Sequence, residues 1–87
     1  MEGVAIGRIV HVVVPGVPAG QVRPGIIVRL FEPMGGSEGM VNLQVFLDGT
    51  NDALSSEGGV AQNVLWLTSV KYNADSQPRT WHWPPRV

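Results

Sequence analysis

The chain has 87 residues, six basic and seven acidic, for a formal net charge of −1, and no cysteine. That length makes one small domain with a single core. The missing thiols remove disulfides and thiolate metal sites, and near-neutral charge argues against a polyanion held by counterion release. No run reaches the length of a bilayer span and the N-terminus shows no secretory signal, so the expected location is the cytosol, with no membrane partner.

Eleven glycines and seven prolines punctuate short β-branched runs, and no window repeats apolar residues at helical spacing. The pattern is all-β. The first run, Gly7 to Val14, is apolar at both parities, as in a strand covered on both sides, and stops at Pro15-Gly16. In the second, Val22 to Glu32, the even positions Val22, Pro24, Ile26, Val28 and Leu30 are expected to face inward, which leaves Arg23 and Arg29 together on the outer face. Pro24-Gly25 inside that run predicts an edge or a bulge, the kind of corner at which a small barrel closes.

Residues 33–39 form a glycine-rich connection, after which Met40 to Leu47 alternates, with Val41, Leu43, Val45 and Leu47 on the core side and Asn42, Gln44 and Phe46 opposite. Asp48-Gly49 marks a turn, and the polar stretch over 50–61 is long for a hairpin loop in so small a domain. The fourth run, Gln62 to Tyr72, carries apolar residues on both faces, Trp66 among them, and so predicts a subunit contact. Asn73 to Pro78 is another polar loop. The chain then closes on a strand at 79–84 that contains Trp81-His82-Trp83. Trp-x-Trp spacing places both indoles on one strand face and His82 on the other. Two uses of that face stand open: indoles that plug the core, or an aromatic platform for a planar ligand. Five short strands predict a single domain over 1–87, a small SH3-like or OB-like five-stranded barrel, partly open. A core this small, with apolar mass on both faces of two strands, predicts a homo-oligomer, either a symmetric dimer or a ring.

Enzymatic signatures are missing: there is no nucleophile elbow, no phosphate loop with its lysine, no His-Glu-x-x-His and no thiol. Gly35 to Gly39 lacks a following helix that would make it a phosphate cradle. Asp48 and Asp52, four apart, suit turn capping better than acid–base work. His11 and His82 are too far apart in sequence to suggest a metal site, and no cofactor is expected. Binding chemistry is better represented. Arg79, His82 and Arg86 surround the tryptophans; with Arg23 and Arg29 they could hold a planar anion by stacking and charge-assisted bonds, while Asn42, Gln44 and Asn63 could read base edges. The candidate ligand residues are therefore Trp81, His82, Trp83, Arg79, Arg23, Arg29 and Asn42.

The segments Arg23-Pro24-Gly25-Ile26-Ile27-Val28-Arg29, Val41 to Gly49, Leu67-Thr68-Ser69-Val70 and Trp81-His82-Trp83-Pro84-Pro85 resemble a group of short bacteriophage and prophage proteins that close on a Trp-x-Trp-Pro motif. The likeness covers most of the chain. It departs in a longer first loop, in Gly25 where alanine is common, and in an expanded 50–59 segment. The resemblance implies a phage protein acting in the cytoplasm of a bacterial host. By analogy with small phage oligomers that soak up immune signals, it further implies a non-enzymatic sponge for a cyclic nucleotide or an ADP-ribose-derived molecule. The second implied role is a virion or assembly protein whose oligomerisation is its function.

Overall fold

A computed structural model of the chain describes residues 3–17, 20–31, 39–48, 52 and 64–85. Five strands, β1 (Ile9–Val12), β2 (Arg23–Leu30), β3 (Val41–Phe46), β4 (Val64–Tyr72) and β5 (Thr80–His82), follow one another around a closed barrel. The all-β expectation holds, and the barrel is closed rather than partly open. Neighbouring strands pair antiparallel except β4 with β5, which is parallel. Closure needs β5 to bond on both sides. Val13 N–H donates to the Thr80 carbonyl and Arg79 N–H to the Val13 carbonyl on one side, and Asn73 N–H donates to the Trp81 carbonyl on the other.

Val10, Val12, Val14, Ile27, Val41, Leu43, Val45, Val70 and Trp81 form the buried core. In β1 only the even positions enter it, since Ile9 is exposed, so the strand is covered on one side and not on two. The expected inward face of β2 is also wrong: Gly25 and Ile27 are buried while Pro24, Val28 and Leu30 are exposed. Gly25 fits there because it lies beneath Val12, where a methyl group would come within 2.9 Å of a Val12 side-chain carbon. β2 is not an edge strand, and its irregularity lies between Ile27 and Arg29, not at Pro24-Gly25.

That bulge has a twin. On β4 the register shifts between the partners of Val41 and Leu43, so Asn42 alone faces Thr68 and Ser69, and Ser69 takes a left-handed φ of 56°. Two residues against one bends a strand and flips which parity points inward. Leu65 and Leu67 pack on the core before the bulge, Val70 and Tyr72 after it. Apolar residues at both parities of β4 thus have a source inside one subunit, apart from Val64 and Trp66, which remain exposed. Both bulges sit beside Asn42, one on each neighbouring strand, and together they curve the sheet on itself.

Candidate functional site

The C-terminal tryptophans are placed by the barrel's closure. Trp81 pairs with Val12 across the β1–β5 ladder and shares its inward direction. It is fully buried, its ring meets Tyr72 and Trp83 edge-on at 5.0 and 5.1 Å, and its Nε1–H donates to the Gly39 carbonyl at 2.7 Å. No ring face is left for a ligand, so Trp81 is a core residue and not a platform. Trp83 is half-buried against the same core, with the Arg8 guanidinium 5.3 Å from its ring centroid and Gly3 on its edge. The two indoles share a side as the spacing implied, but they are perpendicular, at 88°, and form no parallel slot.

His82 lies on the other face, edge-on to His11 at 5.8 Å. Its Nδ1 is buried without a hydrogen-bond partner. Burial and then the neighbouring His11 push the imidazole below its ordinary value, so it favours the neutral form.

Arg23 is a second correction. It pairs with Val12, which points inward, and so it stands at the mouth of the barrel instead of sharing an outer face with Arg29; the β2 bulge separates their directions. Its Nε and Nη2 grip the buried Asp52 carboxylate at 2.6 and 2.7 Å, Nη1 donates to the Val22 carbonyl and Nη2 also to Gln21. Asp52 accepts the Asp48 backbone N–H as well. The guanidinium hydrogen bond first, and that N–H second, hold its carboxyl down to about 2. An arginine so occupied is a strut. Beside it lies a wide-open depression of about 340 Å³ lined by Gln21, Arg23, Pro24, Phe46, Leu47 and Asp48. Its two neighbouring acids, Asp48 and Asp52, against one arginine make it a poor seat for an anion.

Three other candidates do converge. Arg29 pairs with Asn42 across the β2–β3 ladder, and both side chains lie on the outer face. Asn42 is nonetheless buried, because the β4 bulge folds over it: its Oδ1 accepts from Thr68 Oγ1 at 3.0 Å and from Ser69 N–H at 2.9 Å. That engagement makes Asn42 the organiser of the corner and not a reader of base edges. Arg79, with φ 59°, sends its guanidinium to the Thr68 carbonyl at 2.9 Å. Arg29 lies over the Phe31 ring at 5.0 Å, and exposed Lys71 is two residues beyond Ser69. The outer surface where β2 ends and β3 begins therefore carries two arginines, a lysine and two hydroxyls.

Next along the strands, on the same face, stands Trp66, which pairs with Gln44 and is exposed. Two residues along a strand span about 6.6 Å. A ring stacked on Trp66 and an anionic group at the Thr68–Ser69 bulge would thus belong to one small molecule. The sequence names Trp66 only as a contact residue. Its use as a platform depends on knowing that the β4 bulge starts after it, and neither composition nor spacing carries that signal. Arg86, Asn63, most of the 33–39 connection and the 50–61 loop apart from Asp52 lie outside the described residues.

Among the described residues no three His, Asp or Glu side chains gather to hold a metal, and no helix is long and apolar enough to cross a membrane. Comparison with protein-family models, with curated proteins and with solved structures returns no match.

Proposed function

We propose that this chain is a non-enzymatic, SH3-like binding module that captures a nucleotide-type small molecule, of the cyclic nucleotide or ADP-ribose-derived kind, where copies of it meet. Its setting, on the resemblance to phage proteins, is the cytoplasm of an infected bacterium, where capture would silence an immune signal. The consecutive strand order supports the SH3-like form over the Greek-key order of an OB-fold.

The observation that carries the reading is the outer corner at Asn42: Arg29, Arg79 and the Ser69 hydroxyl beside an exposed Trp66 and the amide of Gln44. Stacking on an indole contributes roughly 1–3 kcal/mol per base and the guanidinium groups add charge-assisted bonds. On an open face these terms give modest affinity. A second surface laid over the ligand raises it by excluding water, which is why the site belongs at a subunit boundary.

A thermal-shift panel of cyclic dinucleotides, cyclic trinucleotides, ADP-ribose cyclisation products and mononucleotides tests this. Ligand at a hundredfold its Kd adds about 2.7 kcal/mol, roughly 10–20 °C of Tm for a domain this size. Arg29→Ala and Arg79→Ala should abolish the shift while the protein keeps its fold. A flat panel on folded protein rejects the reading. It would favour instead a virion or assembly protein, a role that the core position of Trp81 and the exposed apolar residues also suit, and the chain should then be found in purified virions.

A further inference from the structure

His11 and His82 are far apart in the chain, yet closing the barrel makes them direct partners on the β1–β5 ladder. Both imidazoles lie on the outer face, with ring centroids 5.8 Å apart and planes at 85°. His82 Nδ1 is, among the described residues, the one buried side-chain polar atom without a hydrogen-bond partner. Such an atom in a folded protein calls for a water or an ion. We infer that the two histidines form a two-imidazole site for a borderline divalent transition-metal ion of the Zn²⁺ kind, which clips β1 to β5 at the barrel's closing seam.

The separation of the rings suits that ion. With about 2.1 Å from nitrogen to metal and about 1.1 Å more to the ring centre, two ligating imidazoles have centres about 5.2 Å apart at a tetrahedral angle and about 6.4 Å apart in line. The observed 5.8 Å lies between. Flipping either ring leaves the centroid separation nearly unchanged, so the fit does not hang on which nitrogen of each faces the ion. Perpendicular planes are no obstacle, because the ion need only lie in the plane of each ring, and both side chains are half-buried with room to turn about χ2. Imidazole suits Zn²⁺, Cu²⁺ and Ni²⁺, whereas Mg²⁺ and Ca²⁺ take oxygen ligands. A ligating imidazole must be neutral, and burial, then the neighbouring His11, keeps His82 in that form. The strand and ladder neighbours on this face, Ile9, Val13, Pro24 and Thr80, carry no charge to repel a cation. Two protein ligands leave the ion's other positions to water or to an outside donor. A clip here acts where pairing is short: β5 has three residues, and its register with β1 covers only His11 with His82 and Val12 with Trp81.

The metal site is independent of the ligand corner, and it is tested on the untagged full chain freed of metal with a chelator. Isothermal titration with zinc chloride should give one ion per chain. Zn²⁺ at a hundredfold its Kd should raise Tm by roughly 10–20 °C, and Mg²⁺ at the same concentration should not. The chain has two histidines, so the imidazole nitrogen resonances of the wild type report the site directly, and both rings should shift together as Zn²⁺ is added. His11→Gln and His82→Gln should each weaken Zn²⁺ binding at least tenfold and abolish the Tm rise, with circular dichroism confirming the fold; if one variant does not fold, the other and the wild-type resonances decide. Arg29→Ala, which removes part of the ligand corner, should bind Zn²⁺ as the wild type does. No Zn²⁺ response from the wild type, a shift confined to one histidine, or a Tm rise that survives either histidine substitution overturns the inference. The ligand reading fails separately: a Zn²⁺ response with a flat nucleotide panel leaves this site standing, and the reverse result removes it alone.

Discussion

Replacing Trp81 separates a core tryptophan from a ligand-binding one. The indole is fully buried, touches Tyr72 and Trp83 edge-on, and donates its Nε1–H to the Gly39 carbonyl. Trp81→Ala removes the largest fully buried side chain of the core, at a cost of about 3–5 kcal/mol for such truncations. It also strands the Gly39 carbonyl, worth about 1–3 kcal/mol more if water cannot reach it. A domain of this length has about 4–13 kcal/mol in total, so Trp81→Ala should lose about half or more of its stability. Trp81→Phe keeps a ring against Tyr72 but loses the donor and part of the volume. We expect a loss of about 2–3 kcal/mol, a Tm lowered by roughly 10–20 °C. The control is Trp66→Phe, whose exposed position should change monomer stability by no more than about 0.5 kcal/mol. Differential scanning calorimetry with urea titration reads all three variants. A Trp81→Phe protein with unchanged Tm would refute the assignment of this residue to the core.

The other expectations rest on the corner, the mouth and the β1–β2 contact. Asn42→Ala should cost about 1–3 kcal/mol in urea denaturation, because the Ser69 N–H and the Thr68 hydroxyl lose a buried acceptor; Asn42→Asp, which keeps Oδ1 beside its cross-strand partner Arg29, should cost less at neutral pH, where it is ionised and accepts both bonds. Asp52 has its folded pKa lowered from 3.8 to about 2 by Arg23, so the unfolded chain binds the extra proton. Its contribution is therefore complete above about pH 4 and is lost as pH falls through 2, and Asp52→Asn should flatten that part of a Tm–pH curve. Gly25→Ala places a methyl 2.9 Å from a Val12 side-chain carbon and 3.4 Å from the Gln44 carbonyl, and should cost about 1–3 kcal/mol by overpacking. Adding Val12→Ala to Gly25→Ala should return part of that loss, and a purely additive double variant would contradict the contact.

Much of β3 is legible because it carries no extra residue: Val41, Leu43 and Val45 alternate inward as read. β2 and β4 are not, and the reason is specific. Each takes one additional residue opposite Asn42, and a single insertion reverses every later side chain, so counting parity through a whole strand mixes two faces. This is how Arg23 came to be grouped with Arg29 although one faces the barrel mouth and the other the outer surface. A tool that the sequence does offer is the parity break itself: Leu65 and Leu67 followed by Val70 and Tyr72 is an alternation with a one-residue slip. At the tail, the spacing of Trp81 and Trp83 correctly set them on one side, while leaving open whether that side was wet.

Composition and turn residues by themselves determined an all-β domain with five strands at nearly the right places, because glycine, proline and β-branched preferences act locally on the backbone. Which faces those strands turn inward was decided by closure. A barrel of five strands must curve sharply, the curvature is taken up at two bulges that meet on Asn42, and their positions depend on partners 26 or more residues away in the chain for β4. From closure and those bulges follow the burial of Trp81, the separation of Arg23 from Arg29 and the basic corner at Thr68–Ser69.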